Sequence, residues 1–163
     1  MLHSTSMRRS AAVAAVAALT AVAAAPAQAK SSHAYKSVID SATLSTGNGY
    51  PGAGGTAILA GTWATNAFGQ GAVVDHITIT GQSGSTISFK GTEVCFVAKG
   101  TFRDTFTGTD TVASDGSQKV VTSGRFIGGT GAYKGAKGKF KYSGTAPSGS
   151  NVVHGRSSGT IVY

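Results

Sequence analysis

The first 29 residues of this chain contain no Asp, Glu or Gly, and the 134 that follow contain a single Cys, Cys95, and no long apolar run. Each absence excludes something. One cysteine forbids an internal disulfide, so stability has to come from packing and backbone pairing. With no second apolar run and no Cys near residue 29, neither a membrane span nor a lipid anchor is expected. Asn48, Asn66 and Asn151 stand outside any Asn-x-Ser/Thr sequon. The glycines follow no Gly-x-y period, which excludes collagen. His33, His76 and His154 lack metal-ligand spacing, so a zinc site is unsupported.

What is present divides the chain in two. Arg8 and Arg9 precede an Ala/Val/Leu run from Ala11 to Ala25, and Ala27-Gln28-Ala29 has the small-x-small pattern of a secretory cleavage site. Residues 1–29 therefore read as a signal peptide, and residues 30–163 as one secreted, extracellular domain. All 24 glycines fall in that second part, about 18% of it against a usual 7% or so. Glycine costs about 1 kcal/mol at each helix-interior position, so this composition argues against helices and for short strands joined by tight turns. Val, Ile, Phe and Tyr stay frequent between the glycines, and a chain of this length can bury about two thirds of its unfolded surface, which excludes disorder.

After a polar and loose start at 30–33, apolar residues recur at every second position in runs bounded by Gly, Ser, Asn or Pro. The pattern predicts strands near 35–44, 56–64, 71–80, 84–90, 92–107, 118–127, 137–143 and 151–163, with a break at Gly91. The links are too short for crossover helices, so the strands run antiparallel. Such a chain must hide its edges, either as an eight-stranded antiparallel β-barrel with room for one small ligand or as a two-sheet β-sandwich.

The formal charge is +8, and without Arg8 and Arg9 it is 12 basic against 6 acidic residues. In Lys134-Gly135-Ala136-Lys137-Gly138-Lys139-Phe140-Lys141-Tyr142, parity puts Lys137, Lys139 and Lys141 on one face and Phe140 and Tyr142 on the other. That is the pattern of a half-buried strand with a charged outer side, and also of a surface for an anionic polymer; specific nucleic-acid recognition is not expected. Gly47-Asn48-Gly49-Tyr50-Pro51-Gly52 has the letters of a dinucleotide fingerprint, but a strand pattern follows where that motif needs a helix, so it reads as a loop.

The acids carry more information. Asp75 shares its face with Val73, Ile77 and Ile79, and Asp104 shares its face with Phe102 and Phe106. A carboxyl on an apolar face is costly unless hydrogen-bonded, paired or open to a polar cavity, and such surroundings raise its pKa into the range useful for acid–base catalysis. A bulge that turns each acid to solvent is the alternative. Glu93 and Cys95 share a face, with Val94, Phe96 and Ala98 opposite; no base is spaced to activate Cys95, which reads as a small buried hydrophobe.

Two stretches then look familiar. Residues 68–81, with Val73-Val74-Asp75-His76-Ile77-Thr78 and the following Gly81, resemble an early strand of dirigent proteins. Residues 120–138, with Gly128-Gly129-Thr130-Gly131-Ala132-Tyr133 and Gly135-Ala136-Lys137-Gly138, resemble their late Gly-Gly-Thr-Gly-aromatic segment, shared with the allene oxide cyclase-like barrels; Lys137 stands where that family often has arginine. The resemblance implies an eight-stranded barrel, often a dimer or trimer. Its apolar cavity would steer cyclisation or coupling of a reactive small molecule without metal or organic cofactor. Asp75 falls on an acidic position of the cavity. Asp75 as the acid, Asp104 as a second acid and Tyr142 as a hydrogen-bond donor are the candidate catalytic residues; a non-catalytic binding barrel would need the cavity alone.

Overall fold

Alternation of apolar and polar side chains continues through eight strands until the sheet meets its own first strand. The computed structural model describes residues 31–163, and the expected signal peptide lies outside the described residues. The strands are β1 (Ser32–Thr46), β2 (Thr56–Thr65), β3 (Gly69–Ser83), β4 (Thr86–Val97), β5 (Gly100–Val112), β6 (Gln118–Gly129), β7 (Lys137–Ala146) and β8 (Val152–Val162). Each pairs antiparallel with the next, and β8 pairs with β1, so the sheet is a closed barrel rather than a sandwich. Closure leaves no unpaired edge. Among the described residues no helix is long and apolar enough to cross a membrane.

Several boundaries differ from the sequence expectation, two of them informatively. Gly91 does not break a strand: it lies inside β4, paired with Ile77 and Phe106, and the turn comes at Ala98-Lys99. A Cβ at Gly91 would strike the Phe106 ring and the His76 carbonyl, so this glycine makes room for a ring instead of a turn. Nor is the start of the described chain loose. Ser32 and His33 pair with Val162 and Ile161, and His33 stacks on Tyr163 at 4.8 Å.

One end of the barrel is filled with aromatic rings. Trp63, Phe68, Phe102, Phe126, Tyr133 and Tyr163 contact one another in stacked, tilted and edge-on pairs, the tightest being Phe102 and Tyr133 at 4.0 Å between ring centres. The late glycine segment builds this plug. Gly131–Tyr133 forms a single 3-10 turn that buries Tyr133, and Thr130 fastens it by bonding the Thr101 amide at 3.1 Å. Gly131 has a φ of 58°, and a Cβ there would meet the Lys99 carbonyl, so left-handed backbone and close approach both call for glycine.

Candidate functional site

Above the plug the interior turns polar. Asp75 on β3 pairs in register with Glu93 on β4, and Glu93 with Asp104 on β5, which sets three carboxyl groups side by side across three adjacent strands. The facing assignments for Asp75 and Asp104 hold: Asp75 is 8% exposed and Asp104 1%. A bulge does occur between Arg103 and Asp104 in the β5–β6 pairing, yet Asp104 stays inside. No described Lys or Arg side chain is buried, so no fixed cation faces the group.

A cavity of about 110 Å³ opens over this row. At the 10–15 Å³ or so that one water requires, it holds on the order of eight waters or one small molecule. Asp75, Glu93 and Tyr142 line it together with Tyr35, and Ile77, Ile79, Phe89 and Phe106 supply its apolar wall. Asp104 is not part of the lining; it lies behind Glu93. Tyr142 comes from β7 and covers Gly144 and Gly155, whose missing side chains leave space for its phenol. Tyr35 is held beneath the cavity by donating to Ser157 Oγ at 2.8 Å, with Ser37 Oγ at 3.2 Å. At the other end of the cavity stand Tyr50 and Asp110. Tyr50 belongs to the Gly47–Gly55 loop, which is tied to β3 by the Gly54 amide bonding the Ile79 carbonyl at 2.9 Å and the Ile79 amide bonding the Gly55 carbonyl at 2.8 Å.

The electrostatics follow from burial without counter-charge. Burial raises the Asp75 carboxyl well above the ordinary carboxylate range, and Glu93 beside it adds to the effect. Burial pushes Glu93 up to about 8, reinforced by the charge of Asp104. Asp104 is pushed up to about 7 by burial, with Asp75 contributing the same way. The Tyr142 and Tyr35 phenols are raised for the same first reason, so both remain protonated donors at neutral pH. One oxygen of Asp75 and both oxygens of Asp104 are buried without a hydrogen-bond partner, the condition that most favours the neutral acid.

Cys95 sits directly below, fully buried, and its thiol donates to Glu93 Oε1 at 2.9 Å. Burial, then Glu93, raises this thiol well above its usual value, the opposite of what a nucleophile needs. Glu93, Cys95 and Asp104 each bring one donor atom within 4.8 Å of the others, the grouping among the described residues that could hold a metal ion. A thiolate with two carboxylates suits a borderline divalent ion, which would first have to displace the protons these groups retain.

Of the three residues expected to act, Asp75 and Tyr142 share the cavity and Asp104 stands one residue back from it. Glu93 was missed as a site acid, as were Tyr35 and Asp110. The signal for Glu93 was present in its parity with Cys95. Apolar Val94 and Phe96 on the opposite face made the inward side ambiguous, and Phe96 is in fact 47% exposed. No family model, no curated protein and no solved structure matches this chain.

Proposed function

We propose that the barrel binds one small, largely apolar molecule bearing an oxygen function and steers its cyclisation or coupling. In this reading the family resemblance extends from fold to activity. The observation that supports it is the row of carboxyl groups at an apolar cavity with no cation opposite. A neutral carboxylic acid can donate a hydrogen bond or a proton where negative charge develops on oxygen, and in a dry cavity that donation is worth more than in water. Asp75 is the donor, since it lines the cavity and its burial beside Glu93 favours the protonated acid. Glu93 beside it discourages ionisation of the pair, and Tyr142 offers a second donor from across the barrel. The apolar wall holds one folded conformer of the reactant, so that positioning carries most of the catalysis.

The test is product control. Racemic or unselective precursors that generate allene oxides or phenoxy radicals are supplied to the protein, and the products are resolved by chiral chromatography. The wild type gives an enantiomeric excess, and Asp75→Asn loses most of it while its Tm stays within a few degrees. An equal excess from Asp75→Asn rules out the acid's role. Racemic product from the wild type, with a small molecule still recovered from the purified protein by mass spectrometry, replaces steering with simple carriage.

A further inference from the structure

The outer wall carries a feature that the cavity reading does not use. Because pairing is in register around the barrel, outward side chains from successive strands fall into rows that cross the strands. One row runs from His76 through Thr92 and Thr105 to Arg125, Lys139 and Thr160. The adjacent row sets Lys90 and Lys141 among four Ser and Thr hydroxyls. The two rows line a single shallow depression of about 1030 Å³ that spans six strands, β3 to β8. At about 4.8 Å between strands its length is about 24 Å. Gly91, Gly124 and Gly159 are among its lining residues.

The five bases are all exposed, and no acid lines the depression. The ion pair found among the described residues, His154 with Asp40 at 2.8 Å, lies outside it. A concave strip of one sign, with hydroxyls between the charges, complements a flexible chain bearing repeated anionic groups. The strip presents no outward Phe, Tyr or Trp ring on which a base could stack, His76 being its one outward ring, and it offers no helix or ribbon for a duplex groove. We propose that this depression is a binding site for an acidic polysaccharide, whose sulfate or carboxylate groups meet Arg125, Lys139, Lys141 and Lys90 while its hydroxyls meet the Ser and Thr fringe. Cavity and depression lie on opposite sides of the same wall, so ligand binding inside and polymer binding outside can occur together.

Fluorescence anisotropy with labelled dextran sulfate, neutral dextran and duplex DNA tests the assignment. Dextran sulfate binds and neutral dextran does not, and the affinity falls at least about tenfold between about 50 and 200 mM salt. Replacing Arg125, Lys139 and Lys141 together by Gln weakens binding at least about tenfold. Replacing Lys99, Lys119 and Lys134 together, the same charge removed away from the depression, costs less than about threefold. Equal losses from the two triple variants would show a response to net charge alone and overturn the site. Failure of dextran sulfate to bind at low salt overturns it outright, and tighter binding to duplex DNA than to dextran sulfate replaces the polysaccharide with nucleic acid.

Discussion

Asp104 shows how much one side chain can reveal when its surroundings are read with it. It is 1% exposed, neither of its oxygens has a hydrogen-bond partner, and its carboxyl is pushed up to about 7. Since an unfolded Asp releases its proton near 3.9, the folded chain holds more protons than the unfolded one between about pH 4 and 7. Stability therefore falls as pH rises through that window, by an amount on the order of 4 kcal/mol for this residue. Glu93, pushed up to about 8, extends the fall upward. Asp104→Asn removes its share: the variant's Tm declines less than that of the wild type between pH 4 and 8, as thermal melts across that range will record. The parity of Phe102, Asp104 and Phe106 made this residue legible in the sequence. What parity could not show was the register that places Glu93 between Asp104 and Asp75, because cross-strand alignment depends on turns and bulges far from the acids.

At the level of the strands, alternation gives an eight-stranded antiparallel sheet, but the strand expected at 92–107 runs through the turn at Ala98-Lys99 and joins the end of β4 to β5, because glycine was read as punctuation at Gly91 instead. Gly91 was taken for a break, yet it is a strand residue whose empty side lets the Phe106 ring lie against the wall. Gly124 does the same for Phe140. Glycines at turns and glycines beneath rings look alike in a sequence, since what distinguishes them is a side chain arriving from another strand. Gly91→Ala must displace Phe106, and a misfit of that kind costs about 1–3 kcal/mol. Gly81→Ala, where an added Cβ meets nothing within 4 Å and φ is not positive, is neutral or mildly stabilising. Denaturant melts of the two variants separate these roles. The late glycine segment has a similarly structural part: it turns the chain so that Tyr133 can seal the aromatic end. That residue pattern thus serves the closure of one barrel end.

Across the whole molecule, charge is sorted by side of the wall. Asp75, Glu93, Asp104 and Asp110 face the interior, and every described Lys and Arg faces out. The formal balance of 12 basic and 6 acidic residues after residue 29 thus understates the outer surface, where Asp40 and Asp115 are the described acids. It also understates the net charge, because interior acids that retain protons contribute nothing negative. The cavity chemistry and the cationic exterior are two consequences of one arrangement, in which acids are withdrawn from water and bases left in it. The measurement that tests this most directly is a carboxyl carbon-13 NMR titration of the folded protein from pH 3 to 9. The account predicts that Glu93 titrates near 8, Asp104 near 7 and Asp75 well above the ordinary range, while Asp115, bonded to the Ser117 hydroxyl and amide, titrates below it. Ordinary titration of Asp75, Glu93 and Asp104, all near pH 4, would contradict it, and the proposed acid in the cavity would be lost with it.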